Sequence, residues 1–410
     1  MRILIISTFF PPLNSIASLR PYSWAKFWSL DSHDVTVLTI EKPSKSANDL
    51  HLPCTGFKII EAKAPALLKK LKQSNPIEKA PSSKKNWKAA CIEYLRFKKG
   101  IFNACRMPDF TDLWIRPALK AVENEAPYDL VISSAGPYAT HIVAHKIKNR
   151  SQAVKWVADY RDTWSNNYIY PGIAPFKWIE TWMERHLLKK ADLITTVSEP
   201  FAEQFMKLHK TPVVAIENGF DPSDLESLSL DPIFPKDGKI RIVHTGSIYL
   251  GKRDPSPLFR VLKELQDDRY EILFVGARQA NLSSLIETYG VSNYVKEVGH
   301  VSRTDALKMQ RDADALLFLP WNDPSVDGVL TGKIFEYLFS GTPLLAVGAH
   351  HMEASQQLIV EANAGWVCLN DASIKSALQD IPKAVHNPTQ HVVDRYNRKL
   401  LAQKLLESIP

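Results

Sequence analysis

Short apolar runs alternate with helical periods along almost the whole chain, and that alternation constrains the fold more than any other feature. The chain opens on Arg2–Ser7 (RILIIS), continues with a helical stretch from about Ser18 to Leu30, and reaches a second apolar run at Asp34–Ile40 (DVTVLTI). Strand, helix and strand at this spacing form a right-handed parallel unit. The pattern resumes at Phe57–Glu61, Asp129–Ser133, a helix over Tyr138–Lys148, and Val154–Asp159. ADLITTVSEPFAEQF adds a strand and a helix joined at Ser198-Glu199, and VVAIENGFD (Val213–Asp221) closes the series. A second series starts at KIRIVHTGS, passes through YEILFVGA, YVKEVGHV, ADALLFLP and LLAV, and ends on Ala364–Leu369. Two Rossmann-like α/β domains follow, expected to face each other across a cleft. The first spans residues 1–221 with a basic insertion at 42–108, and the second spans 240–388. Residues 222–239, rich in Pro and without periodicity, read as the linker. Residues 389–410 read as an amphipathic terminal helix that crosses back to the first domain.

With 410 residues and 45% hydrophobic content, each domain is large enough to bury its own core. A net charge of +7 leaves nucleic acid, an anionic membrane or a phosphorylated substrate as partners. The charge is concentrated between Lys63 and Arg106, where only Glu78 and Glu93, with Glu61 just before, oppose a run of Lys and Arg. Trp87, Tyr94 and Phe102 recur there at helical spacings. Such a stretch either lies on anionic lipid or forms a solvated charge face over a core stripe. No nucleic-acid motif accompanies it. Cys54, Cys91, Cys105 and Cys368 are scattered and read as reduced thiols of a cytoplasmic protein. No apolar run reaches the length of a membrane span, so the expectation is a soluble protein, or one peripheral to the inner face of the cell membrane.

The segment Gly328–Gly348 (GVLTGKIFEYLFSGTPLLAVG) reads as loop, helix, tight turn and buried strand. Thr331 is placed to cap a helix whose free N-terminus suits a phosphate. Glu336, one turn further on, either takes the hydroxyls of a ribose or is an ordinary surface carboxylate. The loop after KIRIVHTGS carries Gly246, Lys252 and Arg253 ahead of a helix from about Ser256. Trp178, Trp182 and His186 stand at i, i+4 and i+8 of a predicted helix over Phe176–Lys190, and are expected in its core stripe. Arg20 is the obvious cation near the first strand's loop.

K-I-F-E-Y-L-x-S-G-T-P-L-L resembles the donor-binding segment of GT-B glycosyltransferases, particularly the retaining family-4 enzymes of bacterial polysaccharide assembly. The resemblance implies a sugar nucleotide, UDP- or GDP-linked, with Glu336 on its ribose. The backbone near Thr331 and Gly332, and the side chain of Lys333, would then meet phosphate or sugar. The family's pattern has two Glu separated by seven residues; here Gly328 stands at the first position, with Asp327 beside it as the nearest carboxylate for the donor. The family also sets an Arg and a Lys against the diphosphate. Lys252 fits the Lys, Ser247 occupies the Arg position, and Arg253 is the nearby substitute. SSAGPYATH and ADYRDTW resemble a recurring pair in one branch of these enzymes, which puts Asp159, Arg161 and Asp162 on the acceptor side. Relatives carry His-Asp where this chain has Arg161-Asp162. The implied reaction is transfer of a sugar to a saccharide or lipid-linked saccharide, with the leaving phosphate helping to deprotonate the acceptor. A GT-B epimerase and a non-catalytic sugar-nucleotide binder are the alternatives. Asp312-Ala313-Asp314 matches the metal-binding D-x-D of the other large glycosyltransferase fold, but it precedes a strand instead of following one. No metal is expected.

Overall fold

A computed structural model describes residues 1–42, 49–63, 91–92, 94–167, 169–246, 248, 252–276, 280–321, 330–349, 352–383 and 388–410. The chain divides into two compact units, Met1–Glu217 with Ala402–Pro410, and Asn218–Leu401. Each is a parallel sheet covered by helices.

The first unit holds strands β1 (Arg2–Ile6), β2 (Asp34–Ile40), β3 (Lys58–Ala62), β4 (Tyr128–Ser134), β5 (Ala153–Tyr160), β6 (Leu193–Thr196) and β7 (Val213–Ala215). Their order is β3-β2-β1-β4-β5-β6-β7, and the neighbouring strands run parallel. The order reverses beside β1, as in doubly wound folds. Strands covered on both faces need apolar residues at consecutive positions. Ile3, Leu4, Ile5 and Ile6 satisfy this with 0% exposure each. The helices of this unit include, among the described residues, α1 (Ile16–Leu30), α2 (Ile115–Ala121), α3 (Ala139–Asn149), α4 (Phe176–Leu188) and α5 (Glu199–Leu208). Ser15 caps α1 by accepting from the Ala17 N–H at 3.2 Å. On the same helix the Trp28 indole donates to the Ala402 carbonyl at 3.1 Å, fastening the end of the chain to this unit.

The second unit holds β8 (Ile240–Thr245), β9 (Tyr270–Val275), β10 (Val295–Gly299), β11 (Ala315–Phe318), β12 (Leu344–Val347) and β13 (Gly365–Cys368), in the order β10-β9-β8-β11-β12-β13. Helices α6 (Ser256–Leu265), α7 (Ala280–Tyr289), α8 (Arg303–Asp312), α9 (Gly332–Ser340), α10 (Ala354–Glu361) and α11 (Asp371–Asp380) cover it. The segment expected as a linker lies with this unit. The Ile233 N–H donates to Asp312 at 2.9 Å, and Arg311 donates to the Ser229 carbonyl at 2.8 Å. Asp314 accepts from the Arg241 N–H at 2.7 Å. Asp312 and Asp314 of the D-x-D therefore serve as backbone anchors.

The expected unbroken terminal helix over 389–410 is instead two helices, Gln390–Asp394 and α12 (Arg398–Glu407). The break has a physical cause. The Phe220 N–H donates to the Tyr396 carbonyl at 3.0 Å, and the Arg398 N–H donates to the Phe220 carbonyl at 2.8 Å. Those two backbone groups are taken from the helix. Gly219 permits the approach, since a Cβ there would fall 2.0 Å from the Tyr396 oxygen. None of the helices, among the described residues, is long and apolar enough to cross a membrane.

Candidate functional site

In the second unit, a cluster of cations gathers where β8 ends and α9 begins. Residues of β8 are all buried, and the strand stops at Gly246, whose φ of +98° is reached without strain by glycine alone. Space imposes the same choice: a Cβ on Gly246 would lie 2.7 Å from Nζ and Cε of Lys333. The end of β8 is tied to α9 because the Thr245 N–H donates to the Tyr337 hydroxyl at 2.8 Å. Gln310 of α8 donates to Thr245 Oγ1 at 3.1 Å. Tyr337 and Lys333 are one turn apart on α9 and so share a face. Anchoring one positions the other over Gly246.

The Lys333 ammonium is buried and has no hydrogen-bond partner. Burial pulls its pKa well below the ordinary lysine value, the neighbouring Arg253 pulls it further, and Glu336 offsets part of this. Arg253 is itself 8% exposed, with its guanidinium 5.8 Å from the Trp321 ring centroid. Lys252 stands half-buried in the turn just before it. His244 lies under the same cluster. Its Nδ1 is 2.9 Å from the Leu317 carbonyl, which can only accept, so Nδ1 carries the proton. Burial, then Lys333 and Arg253, hold this ring neutral, and its Nε2 has no partner.

Thr331 sits at the N-cap of α9 in an extended conformation but makes no side-chain cap, and its buried Oγ1 is likewise without a partner. The first N–H groups of a helix have no acceptor within it. Gly332 opens that turn and is buried. An ammonium, a guanidinium, a hydroxyl and a helix N-terminus thus meet around a glycine, which is the donor set that a phosphate takes.

Glu336, three residues beyond Lys333, turns to a neighbouring face. Its carboxylate accepts from Arg303 Nη1 at 2.9 Å, and Nη2 of the same arginine donates to Asp224 at 2.7 Å. Burial would raise the Glu336 pKa, but Arg303 and Arg398 hold it below the usual carboxylate value. Sequence reasoning missed Arg303, although a signal exists. It is the first residue of α8, behind the N-cap Ser302, and a cation at a helix N-terminus opposes the helix dipole unless carboxylates hold it. Asp327 lies outside the described residues, as do Ser247 and Gly328.

The first unit places the other expected residues at the ends of β4 and β5. Asp159 is completely buried and pairs with Arg20 at 2.7 Å, while Ser134 and Thr195 each donate to it at 2.9 Å. Arg20 is thus neither a loop cation nor a surface one: it is 6% exposed and also donates to the Glu217 carbonyl at 2.9 Å. Both residues build the sheet's end. Arg161 folds back to donate to the Ala135 carbonyl at 2.8 Å, with its guanidinium 5.2 Å from the Phe9 ring centroid. Asp162 next to it is exposed. Trp178 and Trp182, expected in the core, are 70% and 66% exposed.

Residues 78–224 match the family model described as Glycosyltransferase Family 4. No curated protein sequence matches the chain. Among solved structures, sucrose-phosphate synthase from Thermosynechococcus elongatus is similar at a TM-score of 0.64 and 14% identity, over 99% of this chain and 98% of that one. Anabaena HepE, solved with UDP and glucose, is similar at 0.62 and 14%, over 100% and 99%. A putative UDP-N-acetylglucosamine 2-epimerase from Listeria monocytogenes is similar at 0.51 and 11%, over 100% and 95%. At such identities these likenesses establish architecture. They show the GT-B glycosyltransferase fold over the whole chain, and the family similarity covers residues 78–224.

Proposed function

We propose that this protein is a retaining glycosyltransferase that moves a sugar from a UDP- or GDP-linked donor to a saccharide or lipid-linked saccharide in bacterial surface-glycan assembly. One observation carries the reading: the Lys333 ammonium is buried against Gly246 without a partner, at the open N-terminus of α9 and beside Arg253. A diphosphate is an anion this arrangement fits. Charge builds on the leaving diphosphate as the glycosyl bond breaks, and cations already in place stabilise it without reorganisation. Lys252 and Arg253 take the diphosphate, Lys333 and the backbone at Thr331 and Gly332 take the phosphate nearest the sugar, and Glu336 takes the ribose. Arg161 and Asp162 serve the acceptor. A phosphate oxygen of the leaving group receives the acceptor's proton on the same face, which retains configuration.

With its positive charge supplied by side chains, transfer needs no divalent ion and persists in excess EDTA. The basic stretch between Lys63 and Arg106 brings the enzyme to an anionic membrane carrying its acceptor. An epimerase is the second reading, since the Listeria protein has the same architecture. Thermal shift with UDP-, GDP- and dTDP-sugars tests the donor site, because a ligand of the folded state alone raises Tm by mass action. Product analysis then separates the readings, for an epimerase alters the donor with no acceptor present. No shift with any nucleotide would overturn both, and loss of transfer in EDTA with recovery in Mg²⁺ would overturn the metal-free mechanism.

A further inference from the structure

Helix α4 turns its side chains the opposite way from an ordinary surface helix. Glu180 and Glu184 are buried, while Trp178 and Trp182, at the same four-residue spacing, are 70% and 66% exposed. The glutamates face inward because each has a partner there. Glu180 pairs at 2.7 Å with Arg106, itself 1% exposed, and also accepts from the Met107 N–H. Glu184 accepts from the Ser165 hydroxyl. With both carboxylates withdrawn, no acidic residue of the helix remains on its outer face. Lys177, Arg185, His186 and Lys189 are exposed there beside the two indoles. Trp182 stacks on His186, their ring centroids 5.4 Å apart, and these residues line one surface hollow with Trp178 and Lys189.

A neighbouring segment has the same character. Ile92, Tyr94 and Phe97 are exposed beside Lys98. This segment is fastened to the approach to α4, since the Gly172 N–H donates to the Lys99 carbonyl at 3.2 Å.

We propose that the outer face of α4 is an interfacial helix that lies on an anionic lipid bilayer, with Trp178 and Trp182 in the headgroup region and Lys177, Arg185 and Lys189 on the lipid phosphates. Indoles favour the membrane–water boundary, and long cationic side chains keep their charge at the phosphates while their stems follow the apolar layer. Charge sign selects the occupant. A face with cations and aromatics and no carboxylate complements an anionic surface. The core of a protein–protein interface is instead depleted of charge. The α4 face itself lies outside the basic stretch at 63–106, to which Ile92–Lys98 belongs, and does not depend on the sugar-transfer reading.

The test is flotation of the full chain with vesicles of phosphatidylcholine alone and of phosphatidylcholine with phosphatidylglycerol. Wild type binds the anionic vesicles, and binding falls as salt rises. Trp178→Ser with Trp182→Ser, and separately Arg185→Gln with Lys189→Gln, each lower the partition coefficient at least about ten-fold at unchanged Tm. Absence of wild-type binding overturns the proposal. Wild-type binding that both double variants retain also overturns it, because the contact then belongs to another segment such as 63–106. A wild-type dimer that either variant converts to monomer, with vesicle binding intact, overturns it in favour of a second copy.

Discussion

Replacing Lys333 with Met should make the ligand-free protein more stable and weaken its binding of the nucleotide donor. Methionine keeps the length of the chain over Gly246 and removes the charge. The ammonium it replaces is buried with no hydrogen-bond partner. Leaving a polar group in that condition costs about 1–3 kcal/mol, and a charged one costs more. For a domain the size of the second unit, about 1 kcal/mol moves Tm by roughly 2–4 °C. Lys333→Met should therefore melt higher by roughly 2–12 °C. The sign with pH follows from the depressed pKa. Below the ordinary lysine value of about 10.4, the unfolded chain binds a proton that the native state resists, so wild-type stability declines as pH falls. The variant's advantage is largest at low pH and vanishes as pH approaches that value. The donor side runs the other way. Loss of a charge-assisted hydrogen bond to the diphosphate costs about 1.5–3 kcal/mol, or roughly 10–150-fold in Kd. Calorimetric melting across pH, paired with titration by the nucleotide, reads both effects. A variant that melts lower than wild type and binds nucleotide equally well would refute the reasoning, since Lys333 would then be a structural residue.

Three further substitutions bear on the same account. Gly246→Ala introduces both a left-handed strain at φ +98° and a Cβ 2.7 Å from Lys333 Nζ, so it should cost about 1–3 kcal/mol of stability and weaken nucleotide binding together; an unchanged Kd would separate Gly246 from the site. Asp159→Asn leaves Arg20 buried without a counter-charge and should destabilise by about 3–5 kcal/mol, measured by denaturant titration, without changing nucleotide affinity. Burial lifts the Glu184 carboxyl from 4.5 to about 7, against hydrogen bonds from Ser165 and Tyr160. The native state then holds a proton that the unfolded chain releases, so stability is lost as pH rises from about 4.5 to about 7. Glu184→Gln should thus be more stable than wild type at pH 8, by up to about 3 kcal/mol, and equal to it near pH 4.5. A pH-independent difference would contradict this.

How much was legible depended on whether the deciding interaction is local. DVTVLTI was expected as a strand over residues 34–40 and is β2 over those residues, because a strand buried on both faces writes its environment into consecutive positions. The starts of α9 and of α6 at Ser256 were legible for a similar reason: turn chemistry sits at fixed offsets from the elements it joins. Helix α4 was not. Its sequence offers two stripes of four-residue spacing, Trp178–Trp182–His186 and Glu180–Glu184, and apolarity alone chooses the first for burial. Arg106, far away in the chain, decides for the second by placing a guanidinium beneath it. The break in the terminal helix has the same origin, since Phe220 takes the backbone groups of Tyr396 and Arg398 from a distant point in the chain.

Buried cations in this protein fall into two kinds, and the contrast separates architecture from site. Arg20 has Asp159, Arg106 has Glu180, and Arg303 is forked between Glu336 and Asp224. Each such charge is neutralised within its own unit, and removing either partner strands the other in a low-dielectric interior. These pairs hold β4, β5, α4 and α8 in place and have no need of a ligand. Lys333 differs: burial and Arg253 both disfavour its charge, and Glu336, already engaged by Arg303, relieves only part of that. An uncharged side chain of the same length would stabilise this position. A residue that costs the empty protein stability, held over a glycine whose Cβ would displace it, is accounted for by what it does when an anion arrives. The same reasoning divides Asp159 and Glu336, two of the acidic residues expected near substrate. Asp159 already accepts from Arg20, Ser134 and Thr195, so its carboxylate belongs to the fold. Glu336 shares Arg303 with Asp224 and is also held charged by Arg398, so under the reading proposed above a ribose hydroxyl would compete with an arginine that a second carboxylate already holds.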